Sequence, residues 1–171
     1  MSLKNKRLLF VIAPKNFKDE EYYITKEILE SMGIKIITAS SSKEAVSVAG
    51  RKQITDITLD QINTNYDGIV FIGGPGSVVY FDDQKVLEIA NEFFNKNKLV
   101  AAICIAPSIL ANSGILQGKR ATAFPSEESN LIDRGAIYTA NLVTIDDNII
   151  TGKNPGAARE FSTQIIRFLG K

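Results

Sequence analysis

Apolar runs of strand length alternate along this chain with stretches whose apolar residues recur at helical spacing. Residues 7–13 (Arg-Leu-Leu-Phe-Val-Ile-Ala) form a near-continuous apolar run, the pattern of a strand covered on both faces. From about residue 20 to 32 the period changes. Ile24, Ile28 and Met32 share one helical face, and Gly33 supplies a stop. Residues 34–39 predict a second strand. Residues 40–63 are less regular and read as loops, a short extended piece near 46–48 and a helical turn at 59–62. Residues 68–72 predict a third buried strand, closed by Gly73-Gly74-Pro75-Gly76.

Asp82 or Asp83 is placed to cap a helix in which Val86, Ile89, Ala90, Phe93 and Phe94 follow helical spacing. Residues 99–103 predict the next strand, followed by a helix from Pro107 to about Ser113. Residues 120–123 predict a further strand, and residues 125–134 a short helix ending at Gly135. Residues 138–145 and 149–151 flank Asp146-Asp147-Asn148, a hairpin turn. The closing helix, residues 155–169, sets Ala158, Phe161, Ile165 and Phe168 on one face. This alternation predicts an α/β sandwich, a mostly parallel sheet with helices on both faces and a small β-hairpin. No repeat, low-complexity tract or linker interrupts it, and 171 residues suit one domain, 1–171.

Composition narrows the classes of function. Hydrophobic residues make up 44% and charged residues 23%, a globular balance, and a net charge of +1 offers nothing to nucleic acid or an anionic membrane. No run approaches the roughly 18 apolar residues of a membrane span, and no signal-peptide core follows Lys4-Asn5-Lys6-Arg7. One cysteine forms no internal disulfide, so a reducing cytoplasm is the expected compartment. No metal site is expected, because the chain has no histidine and too few cysteines for a zinc cluster. No complete phosphate loop or Gly-x-Gly-x-x-Gly is present, and no cofactor is expected.

The chemistry therefore centres on Cys104, the sole cysteine. The missing histidine excludes Ser-His-Asp hydrolysis and Cys-His proteolysis within the chain. Cys104 ends a predicted strand just before Pro107, where the free amides of a starting helix would lower a thiol's pKa. The other reading of the same position is a small core hydrophobe. Glu21 precedes Ile24 and Ile28 by three and seven residues, which places a carboxyl on the sheet-facing side. Burial would raise its pKa, and the neutral acid could donate to sulfur or shuttle a proton. Alternatively it is a helix N-terminal charge turned to solvent. Gly73 and Gly74 would bring bare amides to the same crevice for an oxyanion, or form only a turn.

Three segments together resemble one family. Ala101-Ala102-Ile103-Cys104-Ile105-Ala106-Pro107 resembles the nucleophile elbow of the DJ-one/ThiJ/PfpI superfamily. Phe17-Lys18-Asp19-Glu20-Glu21 resembles its early acidic motif, whose last Glu contacts the cysteine, and residues 67–74 resemble its Asp, apolar strand and Gly-Gly turn. Asn154-Pro155-Gly156 fits before the last helix. The resemblance implies a flavodoxin-like three-layer sandwich, usually a homodimer or higher oligomer, with Cys104 and Glu21 as catalytic residues. It also implies that the amides of Gly73, Gly74 and Ile105 support an oxyanion.

Members of the superfamily include glyoxalases and protein deglycases, proteases, chaperones and redox sensors. The chain departs from the protease-like branch at Ile105 and from one deglycase branch at Phe124, each a histidine there, so a PfpI-type intracellular protease ranks last. The first expectation is a cofactor-free glyoxalase or deglycase acting on a small aldehyde or glycated substrate. The alternative is a redox sensor or chaperone without turnover, working through Cys104 oxidation. Arg51, after Ala49-Gly50, matches an arginine that reaches the active site across the dimer interface in some relatives.

Overall fold

Seven strands share one sheet because the longest apolar runs have no polar face to leave in water. The computed structural model describes residues 3–171, so the first two positions of the expected 1–171 domain lie outside it. In chain order the strands of this sheet are β1 (Arg7–Val11), β3 (Lys35–Ser40), β6 (Ile57–Thr58), β7 (Gly68–Phe71), β8 (Leu99–Ile103), β11 (Val143–Asp146) and β12 (Ile149–Gly152). Their spatial order is β11-β12-β8-β7-β1-β3-β6, parallel throughout except for β11.

Alternation along the strands feeds two cores. Leu8, Phe10, Val70, Ala101, Ile103 and Ile150 point to one side, where they meet Tyr22 and Leu29, and Phe161 and Ile165 of helix α5 (Ala158–Leu169). Leu9, Val11, Ile69, Phe71, Val100 and Ala102 point to the other. There they meet α2 (Gln84–Asn95), α3 (Pro107–Asn112) and α4 (Glu128–Asp133). The result is the three-layer, flavodoxin-like arrangement expected. Asp83 is the cap of α2, its Oδ1 accepting the Val86 N–H at 3.1 Å. No helix among the described residues is long and apolar enough to cross a membrane.

The chain passes from β1 to β3 on one side and returns to β7 on the other, so strand order reverses beside β1. Such a reversal opens a crevice at the carboxyl ends of the strands. Two regions differ from the sequence reading. Short strands β2 (Lys15–Phe17), β4 (Glu44–Ser47) and β5 (Lys52–Ile54) form a separate three-stranded sheet. Only β4 had a signal, because runs of three residues show no alternation. The predicted strand at 138–145 divides: β10 (Ile137–Tyr138) pairs with β9 (Arg120–Ala121), and only β11 continues into the hairpin. The hairpin turn is Asp147-Asn148, with Asp147 at φ +51°.

Candidate active site

Each of the three elements that converge on Cys104 is set by a local rule. β8 is apolar along its whole length and ends at Ile103, where the backbone turns sharply: Cys104 has φ +64°, a left-handed conformation that costs a non-glycine residue about 1–3 kcal/mol. Two hydrogen bonds hold it. The Cys104 N–H donates to the Gly152 carbonyl at 2.9 Å, and the Phe124 N–H donates to the Cys104 carbonyl at 2.7 Å. The sulfur is thereby aimed into the crevice rather than along the strand. Cys104 is 7% exposed, and with Gly74 and Ile105 it lines a largely apolar cleft of about 270 Å3.

Glu21 comes from the helix after β2. Its first turn, Glu20–Ile24, is wound as a π-helix before α1 (Thr25–Ser31). The wider turn rotates the buried face, which is Glu21, Tyr22, Thr25 and Leu29. Ile24, Ile28 and Met32, predicted to face the sheet, are half-buried at its flank. Glu21 itself is fully buried. Its Oε1 accepts the Gly73 N–H at 2.8 Å, while its Oε2 is buried without a hydrogen-bond partner among the described residues, beside Cys104.

The Gly-Gly turn divides its work between the two groups. The Gly73 amide is spent on Glu21, which corrects its expected place among the oxyanion donors. The amides turned to sulfur are those of Gly74 and Ile105. Gly73 has no room for a side chain: a Cβ there would lie 2.6 Å from Glu21 Oε1 and 2.9 Å from Cys104 Cβ. Gly74, at φ +104°, lies against the backbone of Asn16 and Lys18, and its Cβ would meet both at 2.5 Å.

Burial pushes Glu21 up to about 8 against the opposing pull of the Gly73 amide, Cys104 and Lys18. Burial also pushes Cys104 up to about 12, with the Glu21 charge and hydrogen bond next in size and the Ile105 and Gly74 amides opposing. The expected lowering by a helix N-terminus is outweighed, since α3 has only six residues and the sulfur is buried beside a carboxyl. Thiol and carboxyl thus titrate as one pair, and its first proton leaves at about 8.

Linkage makes this visible in stability. An unfolded glutamate ionises near 4.5, whereas folded Glu21 holds its proton to about 8. Between those values the folded state binds more protons, so stability falls as pH rises, by a few kcal/mol in total. Glu21→Gln keeps an acceptor for Gly73 and carries no proton to lose. Thermal unfolding followed from about pH 5 to about pH 9 should show a decline in the wild type that is flattened in the variant. Parallel declines in both proteins would count against a protonated Glu21.

Arg51 is not brought to this site. Its guanidinium lies 3.5 Å from the centroid of the Tyr23 ring, and the two line a separate surface groove with Lys26, Glu27 and Glu30. Of the cleft walls, the sequence reading singles out Phe124 beside Ile105 but misses Lys18, Pro75, Ser126 and Pro155. Lys18 stood in view within the acidic motif, three residues before Glu21, but nothing in its spacing told which way it pointed.

Known proteins are similar to this one over nearly the whole chain. An uncharacterized protein of Methanocaldococcus jannaschii is 41% identical, covering 99% of this chain and 85% of its own. The glutathione-independent glyoxalase DJR-1.2 of Caenorhabditis elegans is 30% identical, covering 96% and 89%. The crystal structure of a ThiJ/PfpI domain protein from Brachyspira murdochii superposes with a TM-score of 0.94 at 29% identity, covering 96% of each chain. The sequence profile of the DJ-1/PfpI family matches residues 6–168, a span that holds the elbow, the buried glutamate and the Gly-Gly turn, and the chain belongs to that family.

Proposed function

We propose that this protein is a cofactor-free, cysteine-dependent glyoxalase or protein deglycase acting on reactive aldehydes or their adducts. The observation that carries the reading is the buried Glu21 carboxyl beside the Cys104 sulfur, which also faces the Gly74 and Ile105 amides in an apolar cleft. Once the pair has lost its first proton, the Glu21 carboxylate takes the remaining one from the Cys104 thiol as the sulfur attacks, while the Gly74 and Ile105 amides hold the sulfur's charge. The thiolate adds to the aldehyde carbon of a 2-oxoaldehyde, and the Gly74 and Ile105 amides hold the new oxyanion.

Glu21 protonates that oxygen. As a carboxylate it then takes the proton from the former aldehyde carbon and returns it to the neighbouring carbonyl carbon, while the hydroxyl proton passes to that carbon's oxygen. One carbon is oxidised and its neighbour reduced, so no outside oxidant is needed. Water cleaves the resulting thioester to a 2-hydroxy acid and the free thiol. On a hemiaminal or hemithioacetal adduct, the sulfur displaces the amine or thiol at the carbinol carbon, Glu21 gives the leaving group its proton, and the same hemithioacetal on Cys104 results. The reading includes a cytoplasmic homodimer or higher oligomer, in which Arg51 is the residue offered to the partner.

Purified protein supplied with methylglyoxal and no glutathione should form lactate. The rate should rise as pH passes about 8, where the pair loses its first proton. Absence of lactate above the buffer blank sinks the reading. The same Glu21 contact favours a second one, a redox sensor, because a neutral carboxyl there would donate to a sulfinate oxygen. Mild peroxide should then add two oxygen atoms to the intact mass and stop; resistance, or progress to three, excludes it.

A further inference from the structure

Among the described residues lining the Cys104 cleft, Lys18 is the only one with a charged side chain. Pro75, Ile105, Phe124 and Pro155 supply apolar walls. The one hydroxyl of the lining is committed elsewhere: Ser126 Oγ donates to Glu127 Oε2 at 2.6 Å, and Glu127 Oε1 accepts from buried Ser108 Oγ at 2.8 Å. Lys18 is held at this rim by its backbone. Its N–H donates to the Gly73 carbonyl at 3.0 Å, and its carbonyl accepts the Tyr22 N–H at 3.1 Å. The side chain is about one-third exposed, and its ammonium meets Glu20 Oε2 only at 3.7 Å across half-exposed surface. A pair so placed is weak and screened, so an anion entering the apolar cleft competes for the lysine on favourable terms.

We infer that Lys18 makes this cleft select aldehydes that carry a carboxylate, gripping the anionic end at the rim while the carbonyl carbon meets the Cys104 sulfur. For turnover this rests on the glyoxalase reading above, and the substrate class is then the 2-oxoaldehyde with a distal carboxylate. The chemistry at the two carbonyl carbons is that already given. The ammonium takes no part in it beyond binding and orientation. The expected product is a 2-hydroxy dicarboxylate.

The test does not depend on turnover, because Cys104 is the sole cysteine and can be alkylated alone. Iodoacetate and iodoacetamide attack the same thiolate with the same leaving group and differ in charge. Their rate ratio therefore cancels any change in thiol ionisation. Relative to wild type, Lys18→Met should lower the iodoacetate-to-iodoacetamide ratio by about threefold to tenfold, and Lys18→Arg should restore it. An unchanged ratio in Lys18→Met overturns the inference whatever turnover shows.

In the second arm, kcat/KM for 4,5-dioxopentanoate is compared with that for methylglyoxal. Lys18→Met should lower this ratio through KM. If wild type turns over neither compound while the alkylation ratio falls, the glyoxalase reading fails and the anion preference stands.

Discussion

Replacing Cys104 by serine should lower methylglyoxal turnover on the order of 1000-fold or more, to the level of the buffer blank, with a melting temperature close to that of the wild type. The two side chains are nearly equal in size, and the φ of +64° is imposed by the Gly152 and Phe124 hydrogen bonds, which serine keeps. What changes is the acid. A serine hydroxyl has to lose its proton to a strong base as it attacks. The chain has no histidine for that role, and Glu21 is a neutral acid below about 8. The amides of Gly74 and Ile105 can hold a charge once formed but remove no proton. Lactate production by the serine variant at a rate within tenfold of wild type would move the chemistry away from this site.

The fold was legible wherever the physics was local. Uninterrupted apolar runs mark β1, β7 and β8, and helical spacing marks α2 and α5. Capping at Asp83 and the turn at Asp147-Asn148 could also be read from a few adjacent residues. The β2-β4-β5 sheet could not, because β2 is held by pairing with β4 about 30 residues further along the chain, and β5, though close to its partner β4, is too short to show an alternation of its own. Likewise the π-wound first turn answers to tertiary packing. It shifts the buried face from Ile24 and Ile28 to Tyr22, Thr25 and Leu29 while leaving Glu21 inside. Glu21 was thus found by a spacing argument whose apolar companions proved to be different residues.

At the site, residue types were legible and their division of labour was not. The Gly-Gly turn announced amides near sulfur, but only coordinates separate the Gly73 amide, held by Glu21, from the Gly74 amide, which faces sulfur. The direction of the thiol's shift also depends on a balance invisible in one dimension. Burial and the Glu21 charge act against two amides, and the first two outweigh them. Arg51 shows the limit of motif matching within one chain. Its place after Ala49-Gly50 matches the motif, yet within this chain it stacks on Tyr23 away from the cleft.

Gly73→Ala should be the most damaging small substitution at the site, because an added methyl meets the machinery rather than solvent. The new Cβ would stand 2.6 Å from Glu21 Oε1, 2.7 Å from the Ile103 carbonyl oxygen and 2.9 Å from Cys104 Cβ, and two of these three neighbours are backbone or the first atom of a side chain. Relief requires the glutamate to leave the Gly73 amide or β7 to move from β8. Either costs about 1–3 kcal/mol, and a displacement of the carboxyl by about 1 Å is enough to lower turnover on the order of 100-fold.

Gly114→Ala provides the contrast. At φ +88° with nothing within 4 Å, it carries conformational strain alone, about 1–2 kcal/mol, and it does not line the Cys104 cleft. The two alanine variants should therefore lose comparable stability in a denaturant melt, while only Gly73→Ala loses turnover when both are assayed folded. Equal turnover in the two would mean that the Gly73 amide anchors nothing the reaction uses, and Glu21 would have to be held in place by the π-wound turn of its own helix.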